Sequence, residues 1–173
     1  MYKRQSVDRL LQKNFGERWI SFDGDSAGNV INTDELETII SKNSNAVAFS
    51  SHQIIPPLPL VSGNVFPVVF LRDPVDRIKS AYLFEWQKQL GLKEPKGSFI
   101  EYVTAKFKNK RCSSVEEFQT IRLSNTRKNG FRDVNADDQI ILEQACEFIS
   151  SLSFVGIVDQ FDISADNLSL IHI

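Results

Sequence analysis

Short apolar runs alternate with amphipathic stretches along most of this chain. Val7, Leu10, Leu11 and Phe15 recur at helical spacing, and Gly16 ends the pattern. Trp19-Ile20-Ser21-Phe22 reads as a short strand, followed by turn residues through Asp23-Gly24-Asp25 and Gly28-Asn29. Leu36, Ile39 and Ile40 mark a second helix, with Thr33 in position to cap it. Ala46-Val47-Ala48-Phe49-Ser50 is a second strand pattern and leads directly into Ser51-His52-Gln53. Val68-Val69-Phe70-Leu71 is a third. Its unbroken run of β-branched and bulky residues is the kind that lies buried on both faces of a parallel sheet.

Arg72 follows that third strand directly. Asp73 suits the cap of the next helix, Pro74 its first turn, and Asp76 its positive end. The helix is expected to continue through Phe84-Glu85-Trp86-Gln87 to Gly91. Ser98 and Glu101 form a capping-box pair for a helix carrying Phe99, Tyr102, Val103 and Phe107. Ser114 and Glu117 repeat that pair before Phe118. Asn135 is the expected cap of a long helix with Ile141, Leu142, Ala145, Phe148, Ile149 and Leu152 inside, and Phe154 to Asp159 closes the pattern as a strand. Strands alternating with helices predict an α/β fold.

The two ends change what counts as the domain. Met1-Tyr2-Lys3-Arg4-Gln5 is the translation of GTG TAT AAG AGA CAG, and Leu168-Ser169-Leu170-Ile171-His172-Ile173 of CTG TCT CTT ATA CAC ATC. These strings overlap as reverse complements and look like a transposon end used to fragment DNA for sequencing. Residues 6–167 are therefore expected to be one partial domain, with 1–5 and 168–173 contributing no packing. Without Lys3 and Arg4 the formal charge moves from −2 to −4, which argues against a nucleic-acid partner. Cys112 and Cys146 have neither metal spacing nor a disulfide framework, and read as buried or idle thiols. No apolar run approaches the roughly 20 residues of a membrane span. A cytoplasmic protein is expected, with membrane association left open because an anchor could precede residue 6.

The candidate chemistry gathers around Arg72. It stands at the carboxyl end of a strand, where open α/β sheets bind ligands, and Ser80 lies about two turns into the following helix with Arg77 between them. A guanidinium fork, a hydroxyl and a helix N-terminus suit a phosphate. An Arg–Asp surface pair is the plainer alternative. The segment Phe70-Leu71-Arg72-Asp73-Pro74-Val75-x-Arg77-x-x-Ser80-Ala81-Tyr82 resembles the 3′-phosphate motif of sulfotransferases that use 3′-phosphoadenosine 5′-phosphosulfate (PAPS). The likeness is to the carbohydrate branch of the heparan 2-O type and its bacterial relatives.

That resemblance runs over residues 45–162. It implies a three-layer α/β/α domain with a mostly parallel sheet, related to P-loop nucleotide-binding folds. It also implies transfer of a sulfuryl group from PAPS to a hydroxyl, on a carbohydrate acceptor, with no metal required. His52 matches the family's proposed catalytic base, and such a base is needed because the acceptor oxygen must lose a proton as it attacks sulfur. Gln119-Thr120-x-Arg122-Leu123-Ser124 is similar to a downstream Gln-Thr-Arg segment, with the Arg one place later and Asn125 replacing Gly. Gln119 and Arg122 thereby join Arg72, Arg77 and Ser80 as cofactor-binding candidates. Phe154-Val155-Gly156-Ile157-x-Asp159 resembles the family's closing strand, where Glu-Arg more often stands at Asp159-Gln160.

The family's Lys-bearing phosphosulfate loop has no counterpart in 6–30. Its first strand and that loop are expected to lie upstream, which would leave this piece inactive. Two other readings compete. One is a non-catalytic nucleotide- or glycan-binding module on the same fold. The other is a different P-loop-type transferase such as a kinase, although no GxxxxGK[ST] loop is present. Lys106, Lys108, Lys110 and Arg111 form a basic cluster read as a solvated helix end. Glu85 and Trp86 are candidates to face an acceptor sugar, with packing the commoner fate of a helical Trp.

Overall fold

The structure is a computed structural model that describes residues 3–26, 29–59, 65–108, 115–128, 131–133 and 135–171. Gly28, Lys110, Arg111, Cys112, Ser114 and His172, all singled out above, lie outside them. Helix α1 (Lys3–Phe15) gives way to a 3-10 turn at Gly16, whose φ of 56° is the left-handed conformation that glycine adopts at little cost. Strand β1 (Trp19–Ser21) and strand β2 (Ala48–Ser50) pair in parallel, with Trp19 opposite Ala48 and Ser21 opposite Ser50. Parallel pairing requires a crossover, and helix α2 (Thr33–Lys42) supplies it. Its cap is Asn32, not Thr33. The Asn32 side chain accepts from Glu35 N while Glu35 returns a bond to Asn32 N, which leaves the Thr33 hydroxyl to donate to Pro57 O at 2.6 Å.

Strand β3 (Val69–Leu71) pairs in parallel with strand β6 (Val155–Ile157), Phe70 opposite Gly156. Between them come helix α3 (Pro74–Phe84), a π-helical turn over Glu85–Gln89, helix α4 (Phe99–Lys108) and helix α5 (Phe118–Leu123). A two-residue antiparallel ladder, β4 (Arg127–Lys128) with β5 (Phe131–Arg132), precedes helix α6 (Asp138–Ser151). A 3-10 turn over Val158–Gln160 and helix α7 (Phe161–Ile171) follow β6. Regular backbone thus enters both end segments, and Leu168 is half-buried.

The architecture is mixed α/β with parallel strand pairs. Among the described residues β1–β2 and β3–β6 are separate pairs, not one continuous sheet. This explains a departure from the sequence reading. Strand β3 is half-buried, not enclosed on both faces, and Val68 before it is exposed. Helix α6 also shows more of itself than expected. Ile141 and Ala145 are buried against α5, but Leu142 points outward. Its cap is Asp137, which accepts from Gln139 N, two residues after the expected Asn135. Glu117 makes no side-chain cap for α5; it is itself the cap residue, with φ 42° in the left-handed region. Ser98 and Glu101 do form the expected capping box, and those bonds hold the Glu101 carboxyl below its ordinary pKa. Cys146 is exposed, not buried.

Two expected results follow from packing. A Cβ at Gly156 would collide with the Phe70 ring, which is held by Phe154 at 6.0 Å and Phe161 at 5.6 Å between centroids. Gly156→Ala should therefore destabilise the chain by about 1–3 kcal/mol, the usual cost of overpacking. An unchanged urea midpoint would contradict this.

The accessible surface is 11553 Å² for 19.7 kDa, against about 8,600 Å² for a compact monomer of that mass. The fully covered apolar core is correspondingly small, including Ile31, Leu36 and Ile55 near β2 and Ile121, Ile141 and Ala145 between α5 and α6. Thermal unfolding of this chain should occur below the usual mesophilic range, whose lower edge is about 45 °C. A midpoint above about 65 °C by circular dichroism would show that the surface misrepresents stability. Among the described residues no helix is long and apolar enough to cross a membrane.

Candidate functional site

Strand β3 ends at Leu71, so Arg72 emerges at the carboxyl edge of a parallel pair. Its neighbour there is set by register. Leu71 lies opposite Ile157, and the chain beyond Ile157 brings Asp159 alongside, with Asp159 Oδ1 3.5 Å from Arg72 Nε. The Arg72 guanidinium also donates through Nη1 to the Ser80 hydroxyl. Helix α3 makes that contact possible, because two turns of helix return Ser80 to the face above Arg72. Asp73 caps α3 by accepting from Val75 N and Asp76 N at 3.0 Å each, and Pro74 occupies its first position. The N-terminal amides expected to face an anion are therefore met by the protein's own carboxylate. The Arg72 and Ser80 side chains stand together at this edge.

Gln119 reaches across from α5 and spends both ends of its amide on the Arg72 peptide. Arg72 N donates to Gln119 Oε1 at 2.9 Å, and Gln119 Nε2 donates to Arg72 O at 2.8 Å. Gln119 thus fixes the backbone from which the guanidinium projects. Arg77 and Arg122 meet at one ring. The Arg77 Cζ lies 3.6 Å from the Phe118 centroid, joining α3 to α5 by a cation–π contact, and the Arg122 Cζ lies 5.4 Å from it within α5. Arg72 after β3, Arg77 on α3 and Arg122 on α5 thus bring three guanidiniums to this region, with the Asp159 carboxylate beside Arg72. Arg72 also helps to hold the Asp76 carboxyl below its ordinary pKa, after the larger hydrogen-bond and charge effects of Lys79. All five cofactor-binding candidates, Arg72, Arg77, Ser80, Gln119 and Arg122, belong to this α3–α5 cluster.

His52 belongs to the other parallel pair. It stands two residues beyond β2, and Asp23 stands two residues beyond β1, so the 21-to-50 register places them side by side. His52 Nδ1 lies 2.8 Å from Asp23 Oδ1. The Ser51 hydroxyl donates to the same oxygen at 3.0 Å. Gln53, whose side chain is fully buried, accepts from Gly24 N and donates to Ser26 O at 2.7 Å, pinning the 23–26 turn to the segment after β2. The sequence reading treated Asp23 as part of a solvated turn. The signal that could have found it is the parallel register, since two strands ending together bring their following residues together.

An open cleft of about 270 Å³ is lined by Pro56, Pro57, Leu123 and Asn125, with α6 as its third wall, and its lining includes neither His52 nor Arg72. Glu85 does not face open solvent. Its carboxylate accepts from Tyr102 Oη at 2.9 Å and pairs with Lys106 at 2.7 Å, which also removes Lys106 from the solvated basic cluster. Trp86 Nε1 is buried without a hydrogen-bond partner.

No protein-family model matches the chain, and no solved structure matches it. A relative described as an uncharacterized protein of Archaeoglobus fulgidus is 30% identical over 174 aligned residues. The alignment covers 94% of this chain and 66% of that protein, so the chain spans just under two thirds of its relative's length.

Proposed function

We propose that this chain is part of a PAPS-dependent sulfotransferase that moves a sulfuryl group to a hydroxyl of a carbohydrate. The observation that carries the reading is the clamp formed by Arg72 and Ser80 at the end of β3, with Gln119 holding the Arg72 peptide. A phosphate monoester fits there because a guanidinium offers charged, directional donors and a hydroxyl offers one more. Arg77 and Arg122 would extend the same positive field toward the rest of the nucleotide. In the three-layer sulfotransferase fold the two parallel pairs would be parts of one sheet, with His52 and Arg72 both on its carboxyl edge. That edge is where such sheets bind ligands.

PAPS would supply the activated sulfuryl group. His52 would take the proton of the acceptor hydroxyl as its oxygen attacks sulfur, and charge on the departing 5′-phosphate would be met by cationic side chains. A histidine held by a carboxylate favours catalysis over a module that only binds nucleotide or glycan. The test is release of 3′-phosphoadenosine 5′-phosphate (PAP) from PAPS by the full-length protein, with and without carbohydrate acceptors. Acceptor-dependent release is expected. Release that ignores every hydroxyl acceptor would contradict the proposal.

A further inference from the structure

The pairing of His52 with Asp23 has a chemical direction. A neutral imidazole carries one N–H, and a carboxylate can only accept. With Nδ1 2.8 Å from Asp23 Oδ1, the proton of the neutral ring sits on Nδ1, and Nε2 carries the lone pair. We propose that Asp23 is the positioning residue for His52, fixing the tautomer whose Nε2 accepts the acceptor's proton. The inference rests on the sulfotransferase reading for the reaction, but not for the tautomer.

Three features of the site support it. The Asp23 carboxylate is itself held in place, because Oδ1 accepts from the Ser51 hydroxyl at 3.0 Å and from His52 N at 3.4 Å. The turn carrying Asp23 is held by buried Gln53, and the space beside Gly24 is tight. A Cβ on Gly24 would meet Asn29 Nδ2 at 2.9 Å and Gln53 Oε1 at 3.1 Å. The ring nevertheless remains reachable, with the His52 side chain 45% exposed and that of Asp23 32%. The pair is thus anchored by neighbouring groups and still half exposed.

The step balances as follows. The acceptor oxygen forms its bond to sulfur, the bond from sulfur to the bridging oxygen breaks, and that electron pair leaves with PAP. The hydroxyl proton passes to His52 Nε2. The resulting imidazolium keeps its Nδ1–H on Asp23, whose negative charge stabilises it as in Ser-His-Asp triads.

The test has two parts. Nitrogen-15 NMR of the imidazoles on this chain, with the two histidines told apart by His172→Gln, should show His52 protonated at Nδ1 and bare at Nε2. Asp23→Asn should reverse this, because its amide N–H₂ would donate to Nδ1. In the full-length protein Asp23→Asn should lower kcat about 10²–10⁴-fold, with KM for PAPS and the melting temperature unchanged. Asp23→Glu should restore part of kcat. An Nε2–H tautomer in the unaltered protein overturns the inference, as does a loss that appears equally in melting temperature and KM. Full kcat in Asp23→Asn with inactive His52→Ala overturns it too and leaves the sulfotransferase reading standing. Failure of the unaltered protein to bind PAP or release it from PAPS sinks that reading, and the proton transfer assigned to His52 goes with it, even with the Nδ1–H tautomer in place.

Discussion

Replacing His52 with alanine in the full-length protein should cut turnover by about 10²–10⁴-fold, the range expected when a positioned general base is removed. PAP affinity should barely change, because His52 follows β2 while the proposed phosphate clamp, Arg72 and Ser80, lies after β3 and on α3. The fold should tolerate the change as well. The imidazole is nearly half exposed, and its partner Asp23 keeps the bond from Ser51. Steady-state rates with saturating PAPS, alongside PAP titrations of the same variant, separate the two effects. Unchanged turnover would return His52 to a structural role. A matching loss of PAP affinity would mean that it holds the nucleotide.

The second large effect is expected at Arg72. Arg72→Ala should weaken PAP binding by about 1.5–3 kcal/mol, the scale of a hydrogen bond to a charged group, or roughly 10–150-fold in Kd. Ser80→Ala should cost less, because its hydroxyl is neutral. Neither change should matter much for adenosine 5′-phosphate, which lacks the 3′-phosphate. Asp159 makes the arginine result more informative. Its carboxylate lies 3.5 Å from Arg72 Nε, so removing the guanidinium leaves that negative charge beside the incoming phosphate. Asp159→Asn should accordingly strengthen PAP binding. Equal losses for both nucleotides in Arg72→Ala would move the 3′-phosphate elsewhere.

Much of the local structure was legible because short-range chemistry decides it. Asp73-Pro74 starts α3, Gly16 and Gly91 adopt positive φ after helical turns, and Ser98 with Glu101 closes a reciprocal cap. Strands β1, β2, β3 and β6 are legible within about two residues, since a run such as Val69-Phe70-Leu71 has few other uses, whereas the two-residue ladder of β4 and β5 is not. Caps with competing donors nearby were misplaced. Asn32 and Thr33 are both good caps, and only the tertiary bond from Thr33 to Pro57 O decides between them.

Burial was the harder property. Whether β3 is enclosed depends on what lies beside it in space, and the separation of the two strand pairs is not written in either strand. The site divides in the same way. Arg72, Arg77 and Ser80 share one motif and could be read together. That Gln119 holds a peptide, that Arg77 lies over the Phe118 ring, and that Asp23 faces His52 are contacts over 29 to 47 residues, set by strand register and helix packing. The π-helical turn after α3 was also invisible. Its residues 85–89 include ordinary helix formers, and the bonds of Glu85 to Lys106 and Tyr102 are long-range.

Arg72 and Ser80 are proposed to hold the 3′-phosphate of PAP. Titration calorimetry of this chain with PAP and with adenosine 5′-phosphate tests it most directly, because the two nucleotides differ by that phosphate alone. PAP should bind more tightly by at least about 1.4 kcal/mol, which is tenfold in Kd. Equal affinities for the two nucleotides, or no binding of either, would contradict the account.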